Sequence, residues 1–300
     1  MTLAERKKGL LAGSLLGDAF VLGAHWIYDP ERIRKEFGRY DRLHEPLADT
    51  YHIGKHLGDQ THYGDQTAWL FRHLRDSRGH TYDPDAWRQD WLAHMETYTG
   101  YRDAASRTSA ARLRGGERYG SDSNELGGAA RIAPVLYWLA DPGEILSAAL
   151  DQSRATHDSL ESRLATELFT RAALRLVSPA GEPFGALHAL ESARADMHAA
   201  RLDTAFLDQA AAKALPYAKS SPERIARELG QSCHAQHAVP VLYAVFETTE
   251  DYREALSLHA SIGGDSATRA MLTGVLLGAA SGTAILPPEW LGLLSDPIPG

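Results

Sequence analysis

The chain has 300 residues, 44% hydrophobic and 23% charged, so it can bury a sizeable core and disorder is not expected. Its formal net charge of −8 disfavours general binding to a phosphate backbone, so we expect no nucleic-acid partner. The one cysteine, Cys233, excludes an intramolecular disulfide and a cysteine-rich zinc site. It predicts a reducing cytoplasm as the location and a small buried thiol with no catalytic role.

The N-terminal segment imitates a signal peptide, because three basic residues, Arg6 to Lys8, precede an apolar run at 9–16. Asp18 then interrupts that run. Thr2 and Glu5 have the spacing of a capping box, which is typical of a helix start in a folded domain. No run approaches the ~20 apolar residues that a membrane span needs, so we expect no membrane partner.

Helix signals recur along the whole chain, and no segment shows sustained alternation of β-branched residues. We therefore predict an all-α fold in which residues 1–300 form a single domain. The clearest predicted helices are the stripe 87–98 behind Asp83-Pro84, the leucine stripe 160–176 behind Asp158 as its cap, the alanine-rich segment 205–215, and a helix that begins at Ser221-Pro222 and ends at Gly230.

The most irregular region is 41–64, which is long for a structureless connection and therefore a candidate functional loop, or else a surface loop with no role. Gly58-Asp-Gln-Thr61 within it recurs as Gly64-Asp-Gln-Thr67, and the second copy leads directly into a predicted helix. Asp65 and Thr67 are candidate ligands there, although Asp65 is equally explained as a helix cap.

Ile262-Gly-Gly-Asp-Ser-Ala-Thr268 lies between two predicted helices. Glycines at a helix start let the backbone approach a ligand, and free N–H groups there favour an anion or a phosphate. The oxygens of Asp265, Ser266 and Thr268 suit a hard cation, but Asp265 or Ser266 as a simple N-cap explains the pattern as well. The glycines that follow at four-residue spacing, Gly274, Gly278 and Gly282, predict close helix–helix packing.

In chain order these segments resemble the ADP-ribosylglycohydrolase family. The family's usual Thr-Asp-Asp-Thr, Arg-x-Ala-Pro, Thr-His and Gly-Gly-Asp-Thr-Asp-Thr segments have counterparts here, and their order and spacing match over nearly the whole chain. The matching segments are Gly13-Ser-Leu-Leu-Gly-Asp-Ala19, Gly64-Asp-Gln-Thr67, Ala130-Arg-Ile-Ala-Pro134, Thr156-His157 and Gly263-Gly-Asp-Ser-Ala-Thr268. In detail, His25-Trp-Ile-Tyr-Asp29 and Asp265-Ser-Ala-Thr-Arg269 look like the subgroup that includes J1-crystallins and selenoprotein J.

The resemblance implies a single-domain orthogonal helical bundle of the ADP-ribosylglycohydrolase type. It also implies hydrolysis of a glycosidic bond to ADP-ribose, commonly with two magnesium ions. Its catalytic residues would be Asp65 and Asp265, and its metal ligands would be Asp65, Asp265 and Thr268. Its substrate-binding residues would be Asp18, Gln66, Thr67, Gly128, His157, Gly263, Gly264 and Ser266.

Two carboxylates of the family pattern are missing here, because Gln66 and Ala267 stand where aspartates are usual. Two cations about 3.5–4 Å apart need several carboxylates to offset their repulsion, so we expect one weakly bound Mg²⁺ or none. Three hypotheses remain open: a hydrolase acting on an ADP-ribose-like ligand or an ADP-ribosylated acceptor, an inactive nucleotide-binding module, and a crystallin-like structural protein. The polar residues 60–63 favour retained ligand binding.

Overall fold

The computed structural model describes residues 1–178 and 185–295, and within those ranges it contains helices and no β-strand. The expected all-α fold is thus confirmed. Extended segments meet only at the isolated bridges Ser121–His157 and Glu125–His234. The helices are α1 (Leu3–Val21), α2 (Pro30–Phe37), α3 (His62–Asp76), α4 (Pro84–Thr97), α5 (Ala104–Arg114), α6 (Gly127–Ala130), α7 (Ala133–Trp138), α8 (Pro142–Arg154), α9 (Leu160–Val177), α10 (Ala186–Ala199), α11 (Ala205–Ala214), α12 (Pro222–Leu229), α13 (Ala235–Phe246), α14 (Tyr252–Ile262), α15 (Ser266–Ser281) and α16 (Pro288–Leu291).

Most helix starts lie where the capping chemistry predicts them. Asp83 caps α4 through the N–H groups of its first turn, and Ser221 caps α12. Thr2 and Glu5 form the expected capping box of α1. The predicted cap of α9 is wrong by one residue: Ser159, not Asp158, accepts from the third N–H, because Asp158 is held by Arg154 at 2.6 Å.

Helices α1 and α15 form the centre of the molecule and run in opposite directions, since Gly9 lies against Gly278 and Gly13 against Gly274. A Cβ atom on Gly274 or Gly278 would come closer than 3.0 Å to a backbone oxygen of α1. The close packing predicted for these glycines is therefore confirmed. It brings the start of α15 beside the end of α1, where the candidate site lies.

The apolar run 9–16 is buried inside α1, as expected for a helix of the folded domain. Within the described residues, no helix combines the length and the apolar character that crossing a membrane requires.

Candidate functional site

The start of α3 is fixed by the buried carboxylate of Asp18 in α1. Asp18 accepts the Thr61 N–H and the Thr61 hydroxyl, each at 2.6 Å, and Thr61 in turn caps α3 through the Tyr63 N–H. Gly64 lacks a Cβ that would collide with Asp18 Oδ2 and Gln60 Oε1. Burial raises the pKa of Asp18 to about 7, against the opposing effect of the two Thr61 hydrogen bonds.

Asp65 is not the cap of α3, since Thr61 has that role. Its Oδ2 accepts hydrogen bonds from the Lys55 ammonium at 2.6 Å and the Tyr98 hydroxyl at 2.5 Å. The Lys55 and Asp65 side chains are each 19% exposed, so this ion pair lies at the edge of the site and not in the core. Burial and the nearby Asp65 charge hold the pKa of Tyr98 above its usual range, so Tyr98 remains a donor.

The structure turns Gln66 and Thr67 inward, away from Asp65. Gln66 Oε1 accepts from Trp91 Nε1 at 2.9 Å and from Arg131 Nη1 at 2.8 Å, and the Gln66 side chain is buried. The Thr67 hydroxyl donates to the Tyr63 carbonyl one helical turn earlier. Both side chains therefore complete the packing beneath the site.

The start of α15 is a glycine turn whose N–H groups are already used. Gly263 and Gly264 have φ of 76° and 66°, values that favour glycine. The Gly264 N–H donates to the Ile27 carbonyl, and the Asp265 N–H donates to the Gln231 carbonyl, both at 2.8 Å. The N–H of Ser266 donates to the Gly264 carbonyl. The expectation of free N–H donors for a phosphate at this turn is therefore wrong.

Asp265 lies at the N-cap position of α15 but its side chain makes no capping hydrogen bond, so it is not a simple cap. Oδ2 accepts from the Thr268 hydroxyl at 2.7 Å, while Oδ1 is buried 3.6 Å from His25 Nε2 and has no hydrogen-bond partner in the described part of the chain. Burial raises the pKa of Asp265 to about 6, partly offset by the Thr268 hydrogen bond. The buried Ser266 hydroxyl also has no partner among the described residues.

The two arginines of the matching motifs face the protein interior. Arg131 donates to Gln152 and Thr156 as well as to Gln66. Arg269 donates to the Gly263 carbonyl at 2.5 Å and braces the glycine turn from within. Burial lowers the pKa of each guanidinium to about 10, so both stay charged at neutral pH.

His157 lies on the opposite side of the site. Its Nδ1 is 2.8 Å from the Thr156 hydroxyl, and its Nε2 is 3.8 Å from Glu125 Oε2. Gly127, and not Gly128, borders this ring, because a Cβ on Gly127 would lie 2.9 Å from His157 and 2.7 Å from Tyr63. Gly128 packs against Ser153 of α8.

Glu125 is a partly exposed carboxylate that the motifs did not indicate. Burial alone would raise the pKa of Glu125, but the neighbouring His157 and Cys233 hold it below its usual value, so Glu125 is ionised at neutral pH. The Cys233 thiol donates to Glu125 Oε1 at 3.1 Å. Burial and nearby carboxylates keep the pKa of Cys233 above its usual range, as expected for an unreactive thiol.

The acidic groups converge in one neighbourhood. Asp18 interacts electrostatically with Asp65, and Asp265 interacts with Glu125. Asp103, which caps α5, lies 3.1 Å from His62 Nε2 and within electrostatic range of His157. The sequence-predicted residues Asp18, Asp65, His157 and Asp265 thus surround one site.

The residues that motifs missed are Lys55, Tyr98, Asp103, Glu125 and His52. One signal was available, since four of the 14 histidines fall within residues 44–62. The rings of His25 and His52 stack on Trp26, the His62 ring lies tilted against it, and the φ of 63° at Trp26 is unusual for a bulky residue.

The ADP-ribosylglycohydrolase family model matches residues 1–299. The chain belongs to the ADP-ribosylglycohydrolase family. Crystallin J1A of Tripedalia cystophora is 21% identical, over 97% of this chain and 92% of its own length, and crystallin J1B of the same animal is 22% identical over 96% and 91%. A solved structure titled "ADP-ribosylglycohydrolase-related protein complex" has a TM-score of 0.76 at 21% identity, covering 97% of this chain and 93% of that one.

The residues of this ADP-ribosylglycohydrolase site do not fit the two magnesium ions that the resemblance implies. Lys55 brings a positive charge to Asp65 Oδ2, where a cation would bind. Gln66 is turned inward, and Ala267 has no oxygen to offer in its side chain. Asp65 and Asp265 then leave too little negative charge for two adjacent divalent ions.

Proposed function

We propose that the chain hydrolyses the glycosidic bond of ADP-ribose attached to an acceptor, or of a related nucleotide sugar. The observation that supports this most is Asp265, which the resemblance implies is catalytic: it is fully buried, and within the described residues one of its carboxylate oxygens has no hydrogen-bond partner. Glu125 interacts electrostatically with Asp265, and the side chains of Glu125 and Asp65 are 18% and 19% exposed, so both remain accessible from solvent.

The chemistry requires a water to attack the anomeric carbon while the bond to the leaving group breaks. We assign Asp65 as the group that positions and activates this water. Lys55 and Tyr98 fix its Oδ2, and Oδ1 orients the water and takes its proton. Asp265 in its acid form gives a proton to the leaving group, in keeping with a pKa raised to about 6. Glu125, ionised at neutral pH, offsets the positive charge that develops on the sugar.

The nucleotide part of the substrate needs groups other than the glycine turn. Trp26, Tyr51 and Tyr101 form edge-to-face contacts at the rim of the site, with ring centroids 4.9 to 5.4 Å apart. Aromatic faces of this kind stack on a base. The buried Ser266 hydroxyl, which has no partner among the described residues, is a further candidate contact for the ligand. A small ADP-ribose-like ligand, bound in the cytoplasm without nucleic acid or membrane, is the partner we propose.

The decisive experiment measures release of free ADP-ribose from ADP-ribosylated arginine and serine peptides, and binding of ADP-ribose by calorimetry. We expect Asp65→Asn to lower turnover at least about 100-fold, the scale typical of a catalytic acid or base, with little change in ADP-ribose affinity. Asp76→Asn, at the exposed far end of the same helix, is the matched control. Absence of both binding and release in the wild type would refute the proposal.

The alternative is a nucleotide-binding protein without turnover. It is favoured by the Lys55–Asp65 ion pair, because the ammonium already occupies one oxygen of the carboxylate that hydrolysis requires. Tight ADP-ribose binding with no release from any modified peptide, in the wild type and in Asp65→Asn alike, would decide for this alternative.

A further inference from the structure

Three buried histidines from separate parts of the chain meet beside Asp265. His25 follows α1, His52 lies in the long irregular segment before α3, and His62 is the first residue of α3. Each offers a ring nitrogen, and the three nitrogens lie within 4.8 Å of one another. The three residues are 0%, 3% and 1% exposed, so they are shielded from bulk water.

Among the residues that the structure describes, each of these rings has one buried nitrogen without a hydrogen-bond partner: Nε2 of His25, Nε2 of His52 and Nδ1 of His62. An unsatisfied buried polar atom costs about 1–3 kcal/mol, so three of them side by side require an explanation. A bound cation satisfies all three at once, whereas aromatic stacking alone satisfies none of them.

His62 has the outer partner that metal-bound histidines commonly have. Its Nε2 donates to Asp103 Oδ2 at 3.1 Å, so the proton is on Nε2 and the lone pair of Nδ1 stays free for a metal. Asp103 is itself held by the Ser106 N–H at 2.5 Å, so the His62 ring is oriented by a fixed carboxylate.

Zinc binding requires the three histidine rings to move closer together. In a tetrahedral zinc site with Zn–N of about 2.1 Å, ligand atoms lie roughly 3.4 Å apart, so the trio must contract from its present spacing. His52 lies outside regular secondary structure, so a shift of its ring breaks no helical hydrogen bond. Binding at His25 Nε2 leaves the proton on Nδ1, so the 3.3 Å contact from the Ala267 N–H must lengthen. A water completes the fourth position, as in zinc sites with three protein ligands, so Asp265 keeps the acid role proposed for it.

We propose that His25, His52 and His62 form a binding site for one divalent transition-metal ion, with Zn²⁺ as the best fit. Imidazole nitrogens favour zinc and its neighbours in the first transition row, while Mg²⁺ prefers oxygen ligands. This site goes beyond the proposed hydrolysis and does not use the positions of Asp65, Gln66 or Ala267.

The test uses the tag-free full chain, stripped with EDTA, with no nucleotide present. Elemental analysis after zinc loading and dialysis should give one Zn²⁺ per chain, and Co²⁺ should produce the visible absorption of a tetrahedral ion. His52→Ala should weaken Zn²⁺ binding by more than the 10- to 100-fold that loss of an outer partner costs. His56→Ala, an exposed histidine of the same segment, is the matched control and should bind as the wild type does.

Circular dichroism of the metal-free variants establishes that they are folded, and His52→Gln serves as a second variant should His52→Ala not fold. X-ray absorption of the zinc-loaded wild type should show imidazole nitrogens at about 2.0–2.1 Å. A shell of oxygen atoms alone, no stoichiometric zinc in the folded wild type, or full affinity in both His52 variants would overturn the site. Because no nucleotide is used, each of these results leaves the hydrolysis proposal untouched.

Discussion

Lys55 decides the electrostatics of Asp65. Its ammonium lies 2.6 Å from Asp65 Oδ2 and supplies a single positive charge where a divalent ion would supply two. Tyr98 donates to the same oxygen, which fixes the carboxylate without adding charge. Because both side chains are 19% exposed, the ion pair keeps part of its hydration and the desolvation cost of forming it is modest. The Lys55 charge nevertheless repels any cation that approaches Asp65.

Replacing Lys55 by methionine should therefore make Mg²⁺ binding measurable. The change removes the competing charge and leaves Asp65 with the Tyr98 hydroxyl as its remaining partner. Isothermal calorimetry with Mg²⁺ checks this, with Lys55→Arg as the control that keeps the positive charge. Equal, negligible binding in both variants would mean that the missing carboxylates at 66 and 267, and not Lys55, prevent magnesium binding.

Asp18 should make stability depend on pH in an unusual direction. Its pKa is raised from 3.8 to about 7 in the folded protein, so between these values the folded chain holds a proton that the unfolded chain has lost. Raising the pH from 4 to 7 therefore lowers the wild-type free energy of unfolding through this group, by on the order of 4 kcal/mol at about 1.36 kcal/mol per pKa unit.

Asp18→Asn removes the titrating group and can still hydrogen-bond to Thr61. Urea unfolding at pH 5 and pH 8 should show a smaller loss of stability in this variant than in the wild type. A wild type and a variant with the same pH dependence would show that Asp18 is ionised in the fold throughout this range.

At the scale of helices, the packing of α1 on α15 determines where the site forms. Gly278→Ala should destabilise the protein by at least about 2 kcal/mol, because a Cβ there would come closer than 3.0 Å to the Gly9 carbonyl oxygen and neither backbone can yield. Gly292→Ala is the control: its nearest neighbour would be the Pro288 oxygen at 3.6 Å, an ordinary contact. Thermal unfolding of the two variants gives the comparison, and equal midpoints would contradict this account of the glycine spacing.

Most of the helices and their first residues could be predicted from the sequence. Capping residues such as Asp83 and Ser221 act within a few residues of their partners, so local chemistry predicts them. The prediction of free N–H groups at the start of α15 was wrong. Whether these groups are free depends on the carbonyls of Ile27 and Gln231, which are distant in sequence. The role of Lys55 could not be predicted for the same reason, because its contact with Asp65 depends on how the segment before α3 folds.

At the scale of the whole molecule, the site is assembled from segments that lie far apart in the chain. The matching motifs indicated Asp18, Asp65, His157 and Asp265 through their resemblance to the family's segments. They also included His25, and the polar residues 60–63 included His62, but nothing in the sequence indicated that these two histidines meet His52, since positions 25, 52 and 62 have no fixed spacing that a motif would show. The histidine trio is identified from the distances between ring nitrogens in the folded structure, and not from a sequence pattern.

The trio also links the long segment before α3 to the body of the protein, which leads to a prediction about its proteolysis. If one ion binds His25, His52 and His62 together, opening of the segment requires loss of a ligand, and cleavage that needs an opened state slows in proportion. Trypsin should cut after the exposed Arg42 more slowly in the zinc-loaded protein than in the metal-free protein. Cleavage after Lys219, which is exposed and distant in sequence from the trio, should proceed at the same rate in both forms.

Mass spectrometry of timed digests measures the two cleavage rates, and His52→Ala should abolish the zinc effect at Arg42. Equal protection at both positions would indicate a global effect of zinc, and no protection at Arg42 would show that the ion does not restrain this segment.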